Sequence, residues 1–151
     1  RQIEGKNELM KQALASSKIY FSNREEAIKI SNFKFQISNK EDMKKLLLEL
    51  KGTGPEIVSI TDGANGAYAR QATSTGHCRT TGIPSVSRTG AGDAFGSAFS
   101  AAILSDRSVE DALRIGTMNA ESVVQHVGAK TGILTAWPKA TELSQYRVRK
   151  V

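Results

Sequence analysis

A chain of 151 residues has about the length of one domain and can bury roughly two-thirds of its unfolded surface in a single core. With 39% hydrophobic and 24% charged residues, its composition is typical of a soluble globular protein. It has no run of about eighteen apolar residues and no apolar N-terminal segment, so we expect neither a membrane span nor a signal peptide. The single cysteine, Cys78, excludes an internal disulfide and favours a reducing compartment such as the cytoplasm.

The net charge of +6 is compatible with anionic partners of several kinds. The basic residues are scattered, however, and no basic stripe interleaved with aromatic residues occurs. The densest basic group, residues 147–150 (RVRK), is typical of a solvated tail. We therefore expect no nucleic-acid or membrane partner, whereas an anionic nucleotide fits the positive charge.

The first part of the chain alternates helix-like and strand-like patterns. Residues 7–16 predict a short amphipathic helix, and residues 19–21 predict a buried strand. A second helix is expected to start at Asn39, with Asp42 three residues on, and to end at Gly52. The buried stripe of this second helix is Met43, Leu46, Leu47 and Leu50.

A glycine-rich turn follows the next strand. Residues 57–60 predict a strand that runs into residues 61–67 (TDGANGA), where a short further strand begins. The glycines permit positive φ and close backbone approach, which fits either a β-turn or a loop beside a phosphate. Residues 71–85 predict a hairpin or an irregular crossover, and the adjacent histidine and cysteine there are too few to form a metal site.

Two adjacent helices are predicted in the second half of the chain. The first has small residues, Gly96, Ser97 and Ala101, that keep the helix slim on the side away from its apolar face. That apolar face consists of Ala94, Phe95, Ala98, Phe99, Ala102 and Ile103. Ser108 with Asp111 starts the second, which is expected to continue until Gly128 stops it. The predicted stripe of the second helix is Val109, Ala112, Leu113, Gly116, Ala120, Val123, Val124 and Val127.

The end of the chain is predicted to be a loop over residues 129–137 followed by a short helix over residues 141–149. Asn119 lies beside the stripe of the preceding helix, and its simplest interpretation is an ordinary surface amide. The order of elements indicates an α/β fold, half of a three-layer α/β/α sheet. Such a half leaves a sheet edge or an apolar face that needs cover, so we expect the chain to self-associate as a homo-oligomer or to be poorly soluble.

The strongest functional signal is the turn at residues 89–96 (TGAGDAFG). Its Gly90, Ala91 and Gly92 keep side-chain bulk away from the start of a helix, where unpaired amides and the helix dipole stabilise a phosphate or an oxyanion. Asp93 in the same turn is placed to accept a proton from a hydroxyl held against these amides. The alternative is a tight turn into a closely packed helix, with Asp93 acting only as a capping charge.

Asn23 and Glu26 also fit two interpretations. They have the spacing of a capping box, in which each side chain bonds to the other residue's amide. They also lie where a strand runs into a helix, which is where ligands bind in open α/β sheets, so they could form a polar pair near a metal and a phosphate.

Three of these segments together resemble the ribokinase-like (PfkB) carbohydrate kinases. The segments are residues 23–27 (NREEA), 61–67 (TDGANGA) and 89–95 (TGAGDAF), and they stand in the family's order. The likeness covers most of residues 7–135 and corresponds to the C-terminal half of a usual family chain. It implies a partial ribokinase-like fold in which residues 1–151 form one nucleotide-binding and catalytic half, with the N-terminal substrate and lid half absent.

The resemblance also implies a reaction, the transfer of the γ-phosphate of ATP to an alcohol group of a sugar. Asp93 matches the family's catalytic base, and Gly90, Ala91 and Gly92 match its anion hole. An adenosine-type nucleoside kinase shares these motifs, and a non-catalytic nucleotide-binding or assembly module remains a third possibility.

The remaining matches concern the nucleotide and magnesium. Asn23 and Glu26 match the pair that organises Mg²⁺ and its waters. The implied nucleotide contacts are Thr61, Gly63 and Gly66 on the phosphate and ribose side and Asn119 at the adenine pocket. Ser87 and Arg88 stand where the family often has an acidic residue, which puts activation by a monovalent cation in doubt and offers Arg88 as an added phosphate contact. Without the family's other half, the chain is expected to bind its sugar or nucleoside substrate poorly.

Overall fold

The structure is a computed structural model that describes residues 9–10, 12–31 and 36–151. It contains five strands: β1 (Ile19–Asn23), β2 (Ile57–Thr61), β3 (Ala67–Gln71), β4 (Ser74–Cys78) and β5 (Val148–Lys150). The α-helices with defined bounds are α1 (Arg24–Ser31), α2 (Lys40–Lys51), α3 (Ala91–Leu104), α4 (Val109–Val124) and α5 (Ala140–Leu143), and Gly63–Asn65 forms a short 3-10 helix. Residues 9–10 and 12–15 are also helical, which agrees with the predicted first helix, although positions 7, 8 and 11 of that prediction lie outside the described residues.

The strands form one sheet in the order β1-β2-β3-β4-β5. The pair β1–β2 is parallel, and the other three pairs are antiparallel. Of the two alternatives for residues 71–85, the hairpin is found in the first part, because β3 turns back into β4 at Ala72, which has a φ of 50°. Residues 79–85 form neither helix nor strand. In the parallel pair Asn23 lies opposite Thr61, so β1 and β2 end side by side.

Two separate hydrophobic clusters cover the two faces of the sheet. On one face α1 and α2 pack on alternate strand residues such as Val58, Ile60 and Tyr68. On the other face α3 and α4 pack on Ile57 and on the small residues of β3 and β4. This is the predicted three-layer α/β/α arrangement. The predicted stripe of α2 is confirmed in full, because Met43, Leu46, Leu47 and Leu50 are all buried.

The caps predicted for two helices are also confirmed. The side chain of Asn39 accepts the amide of Asp42 at 3.0 Å, and the side chain of Ser108 accepts the amide of Asp111 at 3.0 Å. Each cap satisfies one of the amides that a helix start leaves without a partner. None of the helices in the described ranges combines the length and the apolar character that crossing a bilayer requires.

The first strand is not buried as predicted. β1 has a single strand neighbour among the described residues, and Phe21 is 43% exposed. The apolar sequence pattern indicated a strand correctly, but an edge position leaves its outer side uncovered. The expected self-association through an exposed edge stays a prediction.

The C-terminal segment differs from both predictions made for it. Only Ala140–Leu143 is helical, and Val148–Lys150 pairs with β4 as strand β5 instead of forming a helix or a solvated tail. Pairing satisfies backbone groups at the outer edge of β4, and Val148 packs against the core while its neighbours point outward. The basic side chains therefore lie on an ordered edge strand.

Helix α4 ends three residues earlier than predicted, at Val124 instead of at Val127, the residue before Gly128. The carbonyl of Val124 accepts the amides of Val86 and Ser87, at 2.7 and 3.1 Å, from the segment before α3. A loop thus takes the acceptor that a continuing helix would need, and Val127, predicted as part of the stripe, is 81% exposed.

Helices α3 and α4 form an antiparallel pair whose close contact depends on Gly116. A Cβ atom at this position would lie 2.8 Å from a ring carbon of Phe95 and 3.2 Å from the Phe95 carbonyl oxygen. The backbone of α4 at Gly116 therefore packs directly on the ring of Phe95 in α3.

Gly116→Ala should lower the free energy of unfolding by about 1–2 kcal/mol, because the strain of overpacking exceeds the gain in helix propensity. Gly92→Ala is the matched control, since a Cβ there has no atom within 4 Å. Denaturant unfolding of both variants measures the difference. If Gly116→Ala were as stable as Gly92→Ala, the close contact would not constrain the pair.

Candidate functional site

The first turn of α3 presents backbone amides that the rest of the structure leaves free. Among the described residues, no acceptor bonds to the amides of Gly90, Gly92 or Asp93. The amide of Ala91 makes only a long bond of 3.4 Å to the carbonyl of Arg88. Donors without partners at a helix N-terminus form an anion-binding geometry, because the helix dipole adds positive charge at the same point.

Gly90 is required at this turn for two reasons. Its φ of 84° is in the left-handed region, which side chains other than glycine rarely adopt. A Cβ atom would also lie 2.5 Å from the carbonyl oxygen of Ala129. The loop after α4 therefore packs directly on the start of α3 and fixes its position.

The carboxylate of Asp93 is exposed in the same turn. No hydrogen bond or ion pair engages its side chain within the described part of the chain. A capping role for this side chain is not observed, since α3 has no side-chain cap. The carboxylate is therefore free to interact with a group that approaches the helix start from solvent.

Asn23 and Glu26 form the predicted capping box. The amide of Glu26 donates to Asn23 Oδ1 at 2.9 Å, and the amide of Asn23 donates to Glu26 Oε2 at 3.0 Å. Both side chains are exposed, and the second carboxylate oxygen of Glu26 has no partner in the described residues. Exposed oxygen atoms on two side chains fit a hydrated magnesium ion, which prefers oxygen ligands and keeps several waters.

The turn after β2 lies beside this box. Arg24 forms an ion pair of 3.0 Å with Asp62, which joins the start of α1 to the turn. Gly63 has a φ of 54° and open space around it, whereas a Cβ at Gly66 would lie 2.0 Å from the carbonyl oxygen of Cys78. Close approach of β4 therefore requires glycine at position 66, while Gly63 faces open space.

Asn119 is buried, so its interpretation as a surface amide is wrong. Its exposed fraction is 2%, its Nδ2 donates to the carbonyl of Ala94 at 2.7 Å, and its Oδ1 accepts the amide of Leu134 at 2.8 Å. One side chain thus joins α4, the first turns of α3 and the loop that follows α4. The sequence pattern missed this role because the three segments are far apart along the chain.

Glu121 is a further anchor that the sequence analysis did not identify. Both of its carboxylate oxygens are used by Thr81, one by the amide at 2.7 Å and the other by the hydroxyl at 2.9 Å. Burial, with Glu121 as a second cause, raises the pKa of Tyr146 well above its usual value. The only sign of this contact in the sequence was a glutamate next to the predicted apolar stripe of α4.

His77 supports the turn after β2 from the other side. Its Nε2 lies 2.8 Å from the carbonyl oxygen of Asn65, and its ring stacks on Tyr68 with centroids 4.0 Å apart. Burial lowers the pKa of His77 below its ordinary value, even though the contact with Asn65 acts in the opposite direction. Thr80 adds a second contact, because its hydroxyl donates to the carbonyl of Ala64 at 2.6 Å.

The predicted site residues therefore fall into two groups whose positions the structure fixes. Asn23, Glu26, Thr61, Gly63 and Gly66 lie where the parallel strands β1 and β2 end. Gly90, Ala91, Gly92 and Asp93 form the start of α3, and buried Asn119 joins that helix to α4. The two groups are connected through Phe21, since a Cβ at Gly96 in α3 would lie 2.4 Å from its ring. The arrangement can hold an anion at free amides, with a carboxylate beside it.

Comparison with known proteins identifies one family. The sequence model of the family described as pfkB family carbohydrate kinase matches residues 2–136, which is most of the chain. A search of curated proteins finds no match.

Solved structures with the same arrangement come from several kinases. A protein described as a sugar kinase from Clostridium perfringens matches with a TM-score of 0.77 and 21% identity, over 97% of this chain and 46% of that one. Phosphofructokinase-2 from Escherichia coli, in complex with potassium, matches with a TM-score of 0.74 and 19% identity, over 90% and 42%. Ribokinase from Thermotoga maritima matches with a TM-score of 0.71 and 23% identity, over 89% and 43%. These matches confirm the ribokinase-like α/β fold, and the chain spans less than half the length of each of these proteins.

Glu121→Ala should lower the free energy of unfolding by about 1–3 kcal/mol, because the amide and hydroxyl of Thr81 lose their acceptors. Exchange of the Thr81 amide with solvent deuterium should become faster. Glu110→Ala, at an exposed position of the same helix, is the control and should change stability by less than about 0.5 kcal/mol. Unchanged exchange at Thr81 would contradict the anchoring role.

The stability of the chain should fall as the pH is lowered through the range in which unfolded histidine titrates, near 6.5. Because the pKa of His77 is lower in the folded state, the unfolded state binds more protons at this residue as the pH falls. The contribution of His77 to stability is therefore fully present above this range and is lost below it. His77→Gln should flatten the decrease of the unfolding midpoint between pH 7 and 5. His126→Gln, which changes the other of the two histidines, is the control. An equal pH dependence in both variants would exclude His77 as the cause.

Proposed function

Because the chain belongs to the pfkB family of carbohydrate kinases, we propose that it is the nucleotide-binding and catalytic half of an enzyme that transfers the γ-phosphate of ATP to an alcohol group of a sugar. One observation supports this proposal above the others. The start of α3 combines amides without partners and an exposed carboxylate, Asp93, within one helical turn. Phosphoryl transfer needs these two groups together.

The amides of Gly90, Ala91 and Gly92 would stabilise the charge on the transferred phosphoryl group. In phosphoryl transfer the protein acts chiefly by positioning the reactants and by electrostatic stabilisation. Backbone amides fixed by a helix and by the packing of Ala129 on Gly90 need no reorganisation as the charge develops. Loss of one such donor typically costs about 10²–10³ in turnover.

Asp93 would act as the base. Its carboxylate takes the proton of the substrate hydroxyl, the hydroxyl oxygen forms a bond to the γ-phosphorus, and the bond from that phosphorus to the ADP oxygen breaks. ADP leaves with the electron pair of the broken bond, so the charges balance. Positioned proton transfer of this kind contributes about 10²–10⁴ in rate. The absence of any partner on the Asp93 side chain within the described residues supports this role.

Asn23 and Glu26 would hold magnesium through its waters at the end of β1. When bound, the ion neutralises negative charge on the phosphates. Thr61, Gly63 and Gly66 would contact the phosphate and ribose side of ATP, and the open space around Gly63 leaves room for such a ligand. Asn119 would act at the adenine pocket chiefly by holding the Leu134 loop against α3, because both ends of its amide already bond to backbone groups.

Arg88 would add one contact to the phosphates. Its side chain is exposed, and no carboxylate pairs with it in the part of the chain that the structure describes. Arg88 precedes Gly90 by two residues, so its guanidinium could reach a phosphate bound at the free amides, and paired hydrogen bonds to phosphate suit its planar geometry.

Saturating magnesium ATP, at about a hundredfold over its Kd, should stabilise the chain by about 2.7 kcal/mol. Thermal unfolding with magnesium ATP, and with magnesium alone as control, measures the effect. Arg88→Ala should weaken the binding, and an unchanged affinity would remove that contact. A cooperatively folded sample without any rise in midpoint would favour the non-catalytic assembly module.

Asp93→Asn separates catalysis from binding in the same series. Magnesium ATP should stabilise this variant as much as the parent chain, while turnover falls by about 10²–10⁴ because the base is lost. Turnover is measured as ADP release with a panel of sugars and nucleosides. The assay is done first with this chain and then with a longer polypeptide that contains it. Unchanged turnover would exclude the base role, and preference for nucleosides would favour an adenosine-type kinase.

A further inference from the structure

A cleft lies at the end of the α3–α4 pair that is far from the candidate site. It has a volume of about 630 Å³ and is formed by the start of α4, by α5 and by the segment that leads into β5. Arg107, between α3 and α4, lies at the end of α3 opposite to Gly90. Since α3 has 14 residues and each adds about 1.5 Å, the cleft is roughly 20 Å from the free amides. It is therefore separate from the candidate nucleotide site.

The cleft is strongly basic. Four arginines line it, with Asp111 as the only acidic residue. Asp111 pairs with Arg114 at 2.7 Å, and the same arginine also donates to the carbonyl of Tyr146 at 3.1 Å. The other three arginines have no carboxylate partner among the described residues; they are Arg107, Arg147 and Arg149.

Three unneutralised guanidinium groups around one concave surface repel each other, and an anion between them would remove that repulsion. A cleft with a net positive charge attracts anions and raises their local concentration. Guanidinium groups bind phosphate oxygens through paired hydrogen bonds. The volume is in the range of about 300–1,000 Å³ that small-molecule sites occupy, so it exceeds what a single phosphate fills.

We propose that this arginine cleft, formed by Arg107, Arg114, Arg147 and Arg149, binds a small anion that carries more than one phosphate. Asp111 and Tyr146 hold Arg114 at the wall, while Arg147 and Arg149 are exposed and can turn toward a ligand. A small ligand is favoured over a nucleic acid because the unpaired arginines converge on one cleft and do not continue as a stripe across the surface.

Trp137 makes the proposal measurable. It is the only tryptophan of the chain, and the Arg107 guanidinium lies 4.6 Å from its ring centroid. Phosphate binding to Arg107 should alter this cation–π contact and so the fluorescence of the ring. In about 0.15 M salt, where exposed charges are largely screened, we expect sodium pyrophosphate to give a saturable change, and sodium chloride of equal ionic strength to give none.

Arg147→Gln combined with Arg149→Gln should weaken pyrophosphate binding by about tenfold or more, since two charged contacts to phosphate are lost. Both side chains are exposed, so the substitution should not disturb the core. Arg147→Gln alone, which lies outside strand β5, provides a second measurement if the double variant is poorly folded. The matched control is Lys29→Gln with Lys40→Gln, which removes two exposed charges elsewhere and should change affinity by less than about twofold.

Several results would overturn the proposal. They are the absence of a saturable signal, an equal loss in the lysine control, and an affinity that does not change in the arginine variants, which would show that Arg147 and Arg149 do not bind the pyrophosphate. A single-stranded oligonucleotide that binds far more tightly than pyrophosphate through the same arginines would instead identify a nucleic-acid surface. The assay reports binding alone, so its result is independent of whether the chain phosphorylates a sugar.

Discussion

The candidate site depends on the C-terminal half of α4, because that half holds three separate segments in place. Asn119 binds the first turns of α3 and the loop at Leu134, and Glu121 binds Thr81. The carbonyl of Val124 accepts two amides from the segment before α3. Leaving a buried polar group without its partner costs about 1–3 kcal/mol, so none of these segments can move without a penalty. These contacts from α4 hold the amides at the start of α3 in position.

The antiparallel arrangement of α3 and α4 also brings opposite helix ends together. The start of α3 carries partial positive charge, and the end of α4 beside it carries partial negative charge, which would oppose the binding of an anion. The two amides that bond to the Val124 carbonyl satisfy that negative end with neutral donors. The Val124 carbonyl therefore does not bond to the amides of Gly90 and Gly92, which stay available for an anion. An anion bound there would interact chiefly with backbone dipoles, so this site does not require a cluster of lysines and arginines.

Features that depend on residues within about four positions of each other could be predicted from the sequence. The caps at Asn39 and Ser108, the stripe of α2 and the glycine turn before α3 are of this kind, since the atoms that bond are close along the chain. Contacts between distant segments could not be predicted. Thr81 and Glu121 are 40 residues apart, and the burial of Asn119 follows only once α3 lies against α4. The length of α4 and the strand pairing at Val148 have the same origin, because each is decided by a loop or strand from elsewhere in the chain.

The two interpretations of Asn23 and Glu26 do not compete, and this has a physical reason. A capping box uses one oxygen of each side chain, and a carboxylate has a second oxygen that the box leaves unoccupied. The cap holds both side chains in a fixed orientation at the end of β1, with Thr61 opposite on β2. A helix cap of this kind therefore leaves carboxylate oxygen available for a metal ion and holds both side chains in a fixed orientation. A functional pair placed at a helix start can be held by the backbone alone, which is why its sequence looks the same as that of an ordinary cap.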